Sequence, residues 1–138
     1  IGIGSGNLKI LHPDKDYYSN NENERSIVCR LDYLDQRFLF TGDIGAPSEE
    51  YLSEKYPHEL ACNYLKTPHH GSKGSSTEEF LRLAHPQEAW ICTSANNRFG
   101  FPHKDTIQRY YRQQVRLRST AEGSIRKKID SHRENKKL

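Results

Sequence analysis

Three apolar runs, at residues 38–40, 61–66 and 88–93, each stop at a polar turn and give way to a helical stretch. That alternation restricts the chain to a layered α/β domain. Upstream, residues 8–11 read as a short strand and residues 12–25 as a polar loop too hydrophilic to pack. Residues 26–33 alternate, with Ile27, Cys29, Leu31 and Tyr33 on one face of a strand. Leu34-Asp35-Gln36 turns that strand back into residues 37–41, making a hairpin. Pro47 opens a helix to about Tyr56, with Glu49 and Glu50 in its first turn, where the helix dipole favours acids. Ser75 or Ser76 is the expected cap of a second helix ending near Ala84, with Glu78 and Glu79 placed for a capping box. After the turn at Asn96-Asn97-Arg98-Phe99-Gly100, residues 104–114 form a third helix. Residues 115–120 and 124–129 then read as strands joined at Ala121-Glu122-Gly123. The expected order is a hairpin, then β-α-β-α-β-α-β, then a closing hairpin, in a mixed sheet without internal repeats.

A chain of 138 residues is one domain by length. Its 33% hydrophobic content and mean hydropathy of −0.95 are low for a closed globule and imply a polar face or a missing partner surface. No apolar run approaches the roughly 20 residues of a membrane span, and no signal peptide is visible. The chain begins with Ile1 and contains no methionine, which suggests a piece of a longer protein. Residues 1–66 hold seven basic and eleven acidic side chains, whereas residues 67–138 hold 14 basic and seven acidic ones. The basic half suits an anionic partner such as nucleic acid, or is a solvated surface with a charged tail at 131–138. Cys29, Cys62 and Cys92 sit in apolar runs without paired spacing and read as buried free thiols.

The chemistry concentrates at strand ends. Leu65-Lys66-Thr67-Pro68-His69-His70-Gly71-Ser72-Lys73-Gly74-Ser75-Ser76 carries two adjacent histidines out of a strand into a Gly/Ser turn. Phe38-Leu39-Phe40-Thr41-Gly42-Asp43 ends another strand on a carboxylate. Imidazoles and a carboxylate on neighbouring strand ends suit a hydrolytic metal site. Asp43 is either a turn or cap residue or a carboxylate ligand. Of His69 and His70, one can ligate a cation while the other faces substrate or donates a proton. Ser72 and Ser75 are expected to hold a phosphate at the following helix N-terminus. His103 is a ligand, a proton donor or a helix cap, and Arg98 a phosphate contact. His12-Pro13-Asp14-Lys15-Asp16-Tyr17 imitates a metallohydrolase ligand loop, but a tyrosine stands where its last histidine belongs, and it reads as a decoy.

In order, Leu11-His12-Pro13, Asn23, Ser26-Ile27-Val28, Phe40-Thr41-Gly42-Asp43-Ile44, the Pro68-His69-His70-Gly71-Ser72 run and Asn97-Arg98-Phe99-Gly100 resemble one family. It is the metallo-β-lactamase-fold domain at the C-terminus of ComEC-type DNA-internalisation competence proteins. The resemblance covers roughly residues 8–130 and implies the C-terminal half of an αββα sandwich with helices on one face of a mixed sheet; the partial domain is expected to span 1–130, ahead of a charged, disordered tail at 131–138. It further implies a metal-dependent phosphodiesterase or nuclease acting on DNA, single-stranded in that reading, with a two-metal zinc or manganese site. In that reading Asp43 and His70 hold metal, and His69 and His103 act on substrate. The parent would be a bacterial inner-membrane protein. Two departures stand out. The upstream His/Asp-rich loop that supplies most ligands in the family is absent, so the isolated chain is expected to bind metal weakly and to be inactive. Gly100-Phe101-Pro102 also replaces the family's Gly-His-Pro. The expected partners are DNA or another anionic phosphoester, the N-terminal half of the same domain, and a second copy through the open face. A non-catalytic nucleic-acid-binding domain, or a hydrolase of another phosphoester, is the alternative.

Overall fold

Alternating strands and helices produce one seven-stranded sheet in the computed structural model, which describes residues 2–3 and 6–129. Its strands lie side by side in chain order: β1 (Gly2–Ile3), β2 (Gly6–His12), β3 (Val28–Tyr33), β4 (Gln36–Phe40), β5 (Tyr64–Lys66), β6 (Glu88–Ile91) and β7 (Arg116–Ser119). The first four strands pair antiparallel and β4 to β7 run parallel. Each parallel step carries one helix: α1 (Ala46–Lys55), α2 (Glu78–Ala84) and α3 (Lys104–Arg112). Parallel neighbours need such crossovers, so all their C-terminal ends emerge at one edge.

The helices share one face of the sheet. Val28, Leu39, Leu65 and Ala89 from the strands pack with Leu52, Phe80, Leu81, Ala84 and Tyr110 from the helices into a single core. The other face carries Phe38, Tyr64 and Trp90 in a stacked row, with ring centres 4.9 and 5.4 Å apart. This is the mixed-sheet, one-sided α/β arrangement expected from the strand-helix alternation. Cys29, Leu31 and Tyr33 share one side of β3 as expected; that side lies with Phe38 and Phe40 on the second face and stays half-buried, while Val28 enters the core and Ile27, just ahead of the strand, is exposed.

Two carboxylates reach across the chain to finish helices. Glu24 accepts from the backbone N–H groups of Gly45 and Ser48, both at 3.1 Å, and from Ser48 Oγ at 2.6 Å. It thereby satisfies donors at the start of α1 that the N-cap Gly45 has no side chain to meet. Glu49, on α1, accepts from Ser76 N at 2.5 Å and Thr77 N at 2.7 Å, just ahead of α2. The N-cap of α2 is Thr77, whose Oγ1 accepts from Phe80 N, and not Ser75 or Ser76 as expected.

The polar segment 12–25 also packs, contrary to its composition. His12 is fully buried, with Nε2 2.6 Å from the Glu24 carbonyl and its ring 4.4 Å from that of Tyr17. Burial lowers the His12 pKa against the opposing pull of Glu24. Polar residues pack here because each faces another polar group or a helix end. At the other terminus, residues 124–129 form no strand, so the closing hairpin is absent. That segment crosses the second sheet face instead, where the Lys127 ammonium lies 4.5 Å from the Tyr64 ring centre. All three cysteines are free; Cys62 is buried, while Cys29 and Cys92 are half-buried. The tail at 131–138 lies outside the described residues.

Candidate active site

The C-terminal edge of the parallel strands brings the Thr41-Gly42-Asp43 turn and the histidine loop together. Gly42 adopts φ +53°, and a Cβ there would sit 2.6 Å from Ser26 Cβ, so glycine lets the turn close tightly behind Asp43. Ser26 Oγ accepts from Asp43 N at 3.1 Å, and His69 N donates to the Gly42 carbonyl at 3.2 Å. The carboxylate then faces two nitrogens: His70 Nε2 at 3.3 Å and Lys66 Nζ at 3.5 Å from Oδ1. Lys66 also donates to the Gly42 carbonyl at 2.8 Å. Burial lowers the Lys66 pKa, and Asp43 opposes that shift.

His70 is held from behind. Its Nδ1 lies 2.5 Å from the Cys92 carbonyl, which can only accept, so Nδ1 carries the proton and Nε2 is directed at Asp43. His69, His70 and Gly71 take consecutive left-handed conformations with φ of +44°, +55° and +84°. Such a run costs on the order of 1 kcal/mol or more for each non-glycine residue. Three anchors hold it: the His69–Gly42 and His70–Cys92 bonds, and His103 N donating to the Gly71 carbonyl at 2.9 Å. Strain sustained in this way concentrates at working sites rather than in plain connections.

Gly71 is also where a second loop docks, because a Cβ there would lie 2.7 Å from Pro102 Cβ. Alanine at Gly71 is therefore expected to destabilise the fold by about 2 kcal/mol, through left-handed strain plus overpacking. Urea denaturation checks this, and an unchanged midpoint would show that the two loops are not packed as described. The docked loop is itself fixed by Asn97, which donates to the Ser94 and Phe101 carbonyls and accepts from Phe101 N. It places Phe101 among three imidazoles, with ring centres 5.7 Å from His69, 6.3 Å from His70 and 5.3 Å from His103.

Asp43 and His70 are thus brought together, with His69 beside them. His103 Nδ1 accepts from Lys73 N at 2.8 Å, so its ring clamps the histidine loop at the start of α3. Arg98 is exposed on the second loop, with its guanidinium 4.8 Å from the Phe99 ring centre. Ser72 and Ser75 do not present hydroxyls to a phosphate. Both are buried; Ser72 Oγ donates to Ser75 Oγ, which reaches the Pro68 and Ser72 carbonyls. The anion position ahead of α2 is taken by Glu49. Lys66 was missed because a lysine ending a strand reads as a solvated charge; its place on the same edge as Asp43 was the available signal.

These groups do not make up a metal site. Zinc takes about four ligands, whereas the described residues contain no group of three candidate donors. Asp43 and His70 are a pair, and the Lys66 ammonium already faces the carboxylate.

Residues 17–95, more than half of the chain, match the family described as the metallo-beta-lactamase superfamily. The chain belongs to that superfamily. Within it, the metallo-beta-lactamase-fold chain is 33% identical over 76% of its length to ComE operon protein 3 of Bacillus subtilis. It is 29% identical over 86% of its length to Recombination protein 2 of Haemophilus influenzae. To Competence protein ComA of Neisseria gonorrhoeae it is 30% identical over 72% of its length. The resemblance to ComEC-type competence proteins therefore holds. The chain spans only 14–15% of the length of those three relatives. No helix among its described residues is long and apolar enough to cross a membrane.

Proposed function

We propose that the chain is the C-terminal half of a hydrolase domain acting on phosphodiesters, with DNA during competence-type uptake as its substrate. The observation that carries this reading is the convergence of Asp43, His70, Lys66 and His69 at one strand edge, on a strained and triply anchored loop. In it, Lys66 offers positive charge, Asp43 orients Lys66 and His70, and His69 contacts the phosphate or the leaving oxygen. Arg98 adds a guanidinium on the adjoining loop. The zinc or manganese pair implied by the resemblance would need most of its ligands from beyond these residues, with Asp43 and His70 as this chain's contribution.

The N-terminal half of the same domain is the proposed cover for the second sheet face, where Ile10 is 50% exposed and Leu31, Tyr33 and Phe40 remain half-buried. A second copy of the chain is the competing cover. The remainder of the parent is proposed to sit in a bacterial inner membrane. A second functional reading, nucleic-acid binding without catalysis, is favoured by one observation: Lys66 already supplies Asp43 with a cation. Hydrolysis of another phosphoester remains the third.

Titration of inorganic phosphate into isotopically labelled chain tests where anions bind, by amide and imidazole NMR shifts. The expected shifts fall on Lys66, His69 and His70. Shifts confined to the opposite end of the sheet would overturn the reading. A cleft of about 390 Å³ lies there, lined by Asp35, Arg37, Cys62, Asn63 and His85 among others. Burial pushes its Cys62 thiol up to about 12, which keeps that thiol from acting as a thiolate nucleophile.

A further inference from the structure

Beside the Asp43–His70 pair, three rings climb out of the site nearly parallel to one another. His70 and Phe101 are 19° from coplanar at 6.3 Å, and Phe101 and Phe99 are 18° from coplanar at 5.4 Å. Phe99, at the outer end, is 57% exposed. A large apolar ring left in water at the rim of a polar site has no role in the core, and the Asn97 bonds and the Pro102–Gly71 contact hold its loop in place without it.

The ladder's chemistry is that of a stacking platform. Aromatic faces accept nucleobases with little sequence preference, and arginine planes share that role. The Arg98 guanidinium rests over the Phe99 ring, 4.8 Å from its centre. A base settling on that face would release the guanidinium toward a neighbouring phosphate, so that one short loop reads both halves of a nucleotide. Bases of a duplex are already stacked on each other and cannot reach such a ring. Lipid phosphodiesters and sugar phosphates have nothing to stack.

We infer that Phe99, backed by Phe101 and accompanied by Arg98, forms a base-stacking subsite that selects unpaired nucleotides of a single-stranded nucleic acid for the adjacent phosphate-binding edge. This subsite rests on the phosphodiester reading above and deepens it.

Fluorescence anisotropy at fixed salt compares three 12-mers on the 138-residue chain: oligo(dT), an abasic strand of equal charge, and a duplex. Oligo(dT) is expected to bind about 10-fold more tightly than the abasic strand. Phe99→Ala should remove that advantage and leave abasic binding unchanged, while Phe99→Trp should restore or exceed it. Because Phe99 is largely exposed, these variants leave the core untouched. Equal affinity of the native chain for oligo(dT) and the abasic strand overturns the stacking subsite and leaves the phosphate reading standing. A Phe99→Ala loss shared equally by both strands, tighter binding to the duplex, or no binding to any strand also overturns it. Failure of the phosphate reading shows separately, as absent phosphate shifts at His69 and His70.

Discussion

Alanine at Glu49 is expected to cost about 3–5 kcal/mol of folding free energy. The side chain is fully buried, and both of its oxygens accept backbone N–H groups, from Ser76 at 2.5 Å and Thr77 at 2.7 Å. Truncation leaves two donors without acceptors inside the protein and opens a cavity between α1 and α2. Glu49→Gln keeps the size and one acceptor and should lose less. The two variants also separate charge from geometry. Burial raises the Glu49 pKa above its ordinary value of 4.5, opposed by the Ser76 and Thr77 bonds and the Arg109 charge. The folded state therefore binds this proton more tightly than the unfolded state does. The contribution of Glu49 is fully present below 4.5 and declines as pH rises through the raised folded value. Urea denaturation across that window should show wild type losing ground to Glu49→Gln as pH increases. A Glu49→Ala loss below 1 kcal/mol would mean that α2 does not depend on this cap.

Glu49 also shows where reading the sequence stops. Pro47 with its acids marked α1, and residues 46–55 are helical as expected. What the acid does there depends on a loop 27 residues away, which no local pattern reveals. The same holds for Glu24, whose polar neighbourhood reads as loop until the α1 N-terminus is folded against it. Strand-helix alternation was legible because Phe38, Leu39, Leu65 and Ala89 mark buried strands whatever surrounds them. The β3 face was not, since apolar side chains lie on both sides of this sheet and alternation alone cannot say which side takes the helices. The expected closing hairpin failed at Thr120. Its Oγ1 accepts from Thr93 N at 2.8 Å and reaches the Thr93 carbonyl at 2.7 Å, pinning the chain to the end of β6.

The site was legible in part, for a similar reason. Asp43, His69 and His70 stand at ends of adjacent parallel strands, and such ends converge on one edge. Ser72 and Ser75 looked like phosphate ligands because they precede a helix, but the helix end they precede is already occupied by Glu49. Lys66 and Phe99 carry ordinary surface signatures, and only their positions against Asp43, His70 and Phe101 give them meaning.

Hydrolysis of a single-stranded oligonucleotide by the full-length protein, in native form and with Asp43→Ala and His70→Ala, tests the phosphodiester reading most directly. The Asp43 and His70 side chains are 39% and 37% exposed, and melting temperatures are read beside the rates because His70→Ala also removes the Cys92 anchor of the loop. Groups that orient or neutralise a reacting phosphate contribute factors of about 100 or more, and each substitution is expected to lower the rate at least 100-fold. Unchanged hydrolysis in the double variant, at an unchanged melting temperature, would contradict the placement of the active site at this strand edge.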